Sequence, residues 1–203
     1  MTGSLCDTLL GKNNSQVLLE SLEKSNMFII SLDNERHWFR YHHLFADLLQ
    51  QRLVLQFKHK ISNLHNTASE WFENNNLMVF AIEHALKGGN SKKAMNLIEE
   101  IIERLWETSQ YPTILKFGSM FSEDEIIANT HFCVIYSWTL TVLGNLDKAE
   151  GYLTQALKST KDSNLLGKIY ETYNLLKVFA GEVDAAFRYS ALATQHISEE
   201  DII

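Results

Sequence analysis

The stretch Asn26-Met27-Phe28-Ile29-Ile30-Ser31-Leu32-Asp33-Asn34-Glu35-Arg36-His37-Trp38-Phe39-Arg40-Tyr41-His42-His43-Leu44-Phe45-Ala46-Asp47-Leu48-Leu49 decides the fold. Residues 27–32 are rich in strand formers, residues 33–36 are a polar turn, and residues 37–41 return as an aromatic strand. Leu44, Phe45, Leu48, Leu49 and Leu53 then recur at helical spacing, which predicts a helix with one apolar face turned to a small core. Upstream, Ser15 is placed to cap a helix carrying Val17, Leu18 and Leu22. Helix, β-hairpin, helix is the order of a winged-helix unit, and residues 1–57 are assigned to it.

Beyond Lys60 the periodicity is helical throughout. Leu64, Ala68, Trp71 and Phe72 mark one helix, which Asn74-Asn75-Asn76 ends. Phe80, Ala81, His84 and Ala85 mark the next, with Gly88-Gly89 as its C-cap. Asn90 or Ser91 starts a helix with Ala94, Leu97, Ile98 and Ile101; Pro112 interrupts, and Ser122-Glu123-Asp124-Glu125 reads as a capping box. The last third repeats itself at an offset of 37 residues: Gly144-Asn145-Leu146-Asp147-Lys148-Ala149 is matched by Gly181-Glu182-Val183-Asp184-Ala185-Ala186. The same offset pairs Tyr136 with Tyr173, Tyr152 with Tyr189 and Ala156 with Ala193, with a weaker echo from Gly89 to Ala94. A glycine that ends one helix, a small residue on the next and an aromatic three residues on resemble tetratricopeptide-type hairpins. Generic antiparallel helices are the rival reading.

Composition narrows the function. A formal charge of −7 and an acidic pI near 5.6 argue against a large nucleic-acid footprint, which needs clustered Lys and Arg. One proline and nine glycines in 203 residues fit a mainly helical chain. Cys6 and Cys133 are far apart and in no paired-cysteine pattern, which predicts two free thiols in a reducing compartment. With no membrane-length apolar run and no secretory signal, the expected location is the cytoplasm.

Few residues suggest chemistry. His42 and His43 are adjacent and expected to diverge by about 100° on a helix, so no metal site is assigned. His84 reads as a partly buried polar group between helices. There is no phosphate loop, nucleophile elbow or zinc-protease motif. The acidic pairs Glu99-Glu100 and Asp124-Glu125 read as solvated helix faces, so no catalytic residue is assigned. Trp38, Phe39, Tyr41 and Phe45 fit either a core or a binding patch, with core favoured for most, and core is favoured likewise for Trp71, Trp106 and Trp138.

Residues 18–53, with the run Leu32-Asp33 to Leu48-Leu49, resemble the winged-helix segment of the LuxR-family large ATP-binding transcriptional regulators, the maltose-activator type. Ala68-Ser69-Glu70-Trp71-Phe72 and Ala81-Ile82-Glu83-His84-Ala85-Leu86 resemble the start of that family's superhelical region. The resemblance implies an ATP-binding module before the winged helix, a superhelical sensor after it, and a helix-turn-helix DNA reader at the end. It further implies a role for His42: in related ATPases a Met-His-Asp motif sets a histidine against the β-phosphate of ADP, and Tyr41-His42-His43-Leu44 looks similar. Here His43 stands where those relatives carry Asp, and the alternative is that His42 only caps or packs the strand–helix junction.

The expected fold is therefore mainly α: a small winged-helix unit, then a superhelix of antiparallel helix pairs over residues 58–203 that acts as a sensor. The expected role is a non-catalytic regulatory fragment with no cofactor of its own, ATP or ADP belonging to the full-length family member. Its partners would be the nucleotide-binding and DNA-binding modules of the same regulator and an inducer or regulatory protein. Glu199-Glu200-Asp201 reads as another helix start without a polar cap beyond it, which predicts a truncated product or excised fragment. The rivals are a stand-alone tetratricopeptide-like adaptor that binds peptides in its groove, a direct DNA-binding winged helix and, weakest, an enzyme. The second fares badly because residues 17–24 carry two glutamates and one lysine.

Overall fold

A computed structural model describes residues 1–196, so the helix start expected at Glu199-Glu200-Asp201 lies outside the described residues. The chain divides into two compact units, residues 1–97 and 98–203. The fold is mainly α, with one antiparallel β-hairpin near the start followed by a helical region.

The first unit opens with α1 (Gly3–Leu10) and α2 (Ser15–Lys24). The sequence reading missed α1, although Thr2 accepts from the Leu5 N–H and Gly11 ends the helix in the left-handed region. Ser15 does not cap α2. It is the first helical residue, its N–H donates to Asp7 Oδ1 (3.0 Å), and Asn14 flanks the helix without a side-chain bond.

The hairpin is β1 (Ile29–Ser31) and β2 (Phe39–Tyr41), paired Ile29 to Tyr41 and Ser31 to Phe39. Both strands are shorter than expected; β1 starts only at Ile29 because Phe28 takes a positive φ of 56°, which breaks extended pairing. Asp33 holds the connection by accepting from the N–H groups of His37 (2.9 Å) and Trp38 (2.7 Å). Alternation sends Ile29 and Phe39 inward, where they pack with Leu19. Of the aromatic run only Phe39 is fully buried; Trp38, Tyr41 and Phe45 are half-buried.

From β2 the chain enters α3 (His43–Asn74), a 32-residue element in which the two expected helices follow one another across a kink. Phe57 departs from helical geometry (φ −133°, ψ 28°), a kink at the end of the assigned winged-helix module. The expected apolar face is not a core. Leu44 (67% exposed), Leu48 and Leu53 are open to solvent, and Phe45 and Leu49 are half-buried. The second half of α3 pairs with α4 (Met78–Lys87) through buried Ala68, Phe72, Ala81, Ile82 and Ala85. Ser69 Oγ donates to the Ala81 carbonyl (2.8 Å) and Ser62 Oγ to that of Gly88 (2.6 Å).

α5 (Ser91–Glu107) runs from the first unit into the second. The second unit continues with α6 (Tyr111–Gly118), α7 (Glu123–Ala128), α8 (Thr130–Val142), α9 (Leu146–Ser159), α10 (Ser163–Phe179) and α11 (Val183–Thr194). Pro112 opens α6 rather than merely interrupting, as a residue without an N–H suits a first turn. The capping box at Ser122 and Glu125 is formed. α8 is apolar nearly all round and buried between its neighbours.

One corner geometry recurs. At Asn26, Asn76, Gly89, Ser109, Gly144 and Gly181 a residue with positive φ donates its N–H three residues back, and the next residue donates five back. These bonds satisfy the last carbonyls of each helix. The 37-residue repeat is physical: Tyr136 packs on Tyr152 (5.5 Å between centroids) as Tyr173 packs on Tyr189 (4.7 Å). Ala149 and Ala186 are buried equivalents, as are Ala156 and Ala193.

Candidate functional site

The strand–helix junction is built from the backbone. His42 N–H donates to the Phe28 carbonyl (2.7 Å), and the His42 carbonyl accepts from Phe45 (3.0 Å) and Ala46 (2.9 Å). His42 is thus the N-cap of α3, with extended rather than helical backbone (φ −55°, ψ 137°). Its imidazole makes no capping bond and is exposed. Phe28 and Tyr41 both pack on Phe45, at 5.3 and 5.5 Å between centroids, which fixes the junction from beneath.

Because His42 stands outside the helix, its ring does not diverge from His43 as expected. The two rings lie 4.3 Å apart, both exposed, at the positive end of a long helix. Such an arrangement offers ring N–H donors and oriented backbone dipoles to an anion.

A second polar cluster, in the second unit, was not anticipated. His131, in the first turn of α8, places Nδ1 2.8 Å from Glu99 Oε2 and Nε2 2.8 Å from Glu103 Oε1. Lys168 of α10 donates to the same Glu103 oxygen (2.7 Å). With a carboxylate at each nitrogen, the ring is held as a double donor, the imidazolium. The bond to Glu99 is the chief cause that raises the His131 pKa, against burial, with Glu103 adding to it. Glu99 is therefore not the solvated residue expected; Glu100, one position on, is exposed. Glu99 and Glu103 stand one helical turn apart on α5, a spacing that sets two carboxylates side by side and could have flagged the site.

Trp106 and Trp138 are half-buried and meet edge to face at 5.2 Å beside a cleft of about 110 Å³. His84 packs between helices as expected, with its Nδ1 3.1 Å from that of His65 and its ring against Phe72. Burial first, then His65 and Lys87, push its pKa down to about 4. Both cysteines are free; burial raises Cys133 to about 12, leaving an inert thiol. No helix among the described residues is long and apolar enough to cross a membrane.

Residues 1–60 match the MalT winged helix domain. Almost the whole chain, 99%, aligns at 27% identity with 19% of the serine/threonine-protein kinase PknK of Mycobacterium tuberculosis (strain ATCC 25618 / H37Rv), and equally with PknK of Mycobacterium bovis. At 22% identity, 96% of the chain aligns with 22% of the HTH-type transcriptional regulator MalT of Cronobacter sakazakii. The chain thus spans about a fifth of the length of these curated relatives. The resemblance drawn from residues 18–53 stands: a winged helix of the MalT type begins the chain.

Proposed function

We propose that this chain is a regulatory, non-catalytic module in which the winged helix responds to the nucleotide state of an ATP-binding module and the helical region receives a signal. One observation carries the reading. Proteins named for different outputs, a kinase and a DNA-binding regulator, share similarity to this segment across nearly its whole length. A segment common to both serves what they share, not phosphoryl transfer or DNA reading.

In this reading the winged helix ends at the Phe57 kink and the sensor begins there. The exposed side chains of Phe28, Leu32, Leu44 and Leu48 form apolar surface suited to the nucleotide-binding module. His42 donates a ring N–H to the β-phosphate of ADP, which favours a closed state; an inducer or regulatory protein on the helical region opposes it through its differential affinity for the open state. The chain holds no nucleotide of its own, and it works in the cytoplasm. The paired tyrosines of the 37-residue repeat favour one alternative, a free-standing tetratricopeptide-like adaptor.

The test is the ADP affinity of the nucleotide-binding module joined to this chain, as wild type and as His42→Ala. Loss of a charge-assisted contact predicts ADP binding roughly tenfold weaker in the variant, with an ATP analogue less affected. Equal ADP affinities remove His42 from the nucleotide site.

A further inference from the structure

We infer that the cleft between α5, α8 and α10 is a binding site for an organic cation, a protonated amine or guanidinium group. The cleft has about 110 Å³ of free space, lined by the indoles of Trp106 and Trp138 and by Glu103, Lys168 and Glu171. At about 30 Å³ per water molecule, that space suits a compact head group with a short alkyl stem.

Charge selects the ligand. Lys168 and His131 share Glu103 Oε1, and His131 also pairs with Glu99, so two carboxylates balance these two cations within the protein. Glu171, one helical turn beyond Lys168 on α10, is exposed and has no hydrogen-bond or ion-pair partner among the described residues. An anion entering the cleft would meet that carboxylate uncompensated. A neutral group offers that solvated carboxylate no attraction beyond what water gives it. A cation pairs with Glu171 while lying against indole surface, whose π-electrons attract positive charge.

Two sources present this chemistry, a free small amine and an Arg or Lys side chain of a peptide. The site deepens the sensing half of the proposed function and rests on that reading for its role as a signal input. Binding itself is tested apart from it, in the other unit from His42.

Isothermal titration of the full 203-residue chain with butylguanidinium, with the peptide Gly-Arg-Gly and with neutral butylurea tests the site. We expect saturable binding of a guanidinium probe and none of butylurea. Glu171→Gln should weaken it about tenfold, and Asp124→Asn, on an exposed residue of α7, should leave it unchanged. Tighter binding of the peptide identifies a protein side chain as the source, and tighter binding of butylguanidinium a free amine. Failure of both guanidinium probes, equal binding of butylurea, or an unaffected Glu171→Gln variant overturns the site. None of these outcomes bears on the ADP contact at His42, and loss of that contact leaves cation binding in place.

Discussion

The ring of Tyr136 occupies the space where a side chain at residue 118 would stand: a Cβ added to Gly118 would overlap its Cε2 and Cζ atoms. Gly118 ends α6 and Tyr136 lies mid-way along α8, so this contact sets how closely the two helices approach. It also ties α6 to the repeat, since Tyr136 is the aromatic that packs on Tyr152.

Gly118→Ala should therefore destabilise the second unit by about 1–3 kcal/mol, the cost of overpacking a filled site. Gly151→Ala is the matched control, because a Cβ there meets nothing within 4 Å and α9 gains a better helix former. It should stabilise by about 0.5–1 kcal/mol. Chemical denaturation of the two variants checks the opposite signs.

Ser109 stands at a corner that three glycines occupy elsewhere, with φ of 55° and the same pair of backbone bonds. Its side chain is exposed. Ser109→Gly should relieve left-handed strain and raise stability by about 1 kcal/mol, read as an upward shift in Tm. A lower Tm would show that the serine side chain contributes more than its backbone costs.

The His131 cluster gives a pH dependence of known sign. Its folded pKa is raised above 6.5, so the stabilisation is fully present below that value and lost as pH rises through the folded pKa. The charged groups facing it are Glu99 and Glu103 on α5 and Lys168 on α10. The Tm advantage of wild type over His131→Gln should be largest near pH 6 and shrink towards pH 9. A difference that stays constant with pH would mean that the ring is held neutral.

His84 acts oppositely. Its pKa is pushed down to about 4, so its stabilisation is present above 6.5 and lost as pH falls from there towards 4. In His84→Phe the wild-type loss of stability between pH 6.5 and 4 should diminish. Thermal melts across that window check it.

Much of the fold was legible because local signals agreed with tertiary structure. The hairpin, the glycine corners, the capping box at Ser122 and the 37-residue repeat all depend on backbone chemistry that a few residues dictate. Burial was less legible. Leu44, Leu48 and Leu53 have helical spacing like a core face, yet periodicity does not say what covers a face. Sites fared in the same way. A short motif singled out His42 as a candidate, and its position as N-cap explains why its ring lies by that of His43. The His131 cluster joins residues 28, 32 and 65 apart in sequence, and only the packing of α5, α8 and α10 makes it one site.

The measurement that most directly tests the regulatory reading is the DNA sequence on both sides of this reading frame, translated in all frames. We expect a phosphate-loop nucleotide-binding module encoded upstream and a helix-turn-helix reader downstream, the arrangement in which the winged helix and His42 have work to do. Unrelated flanks on both sides would contradict it and leave a stand-alone helical binding protein.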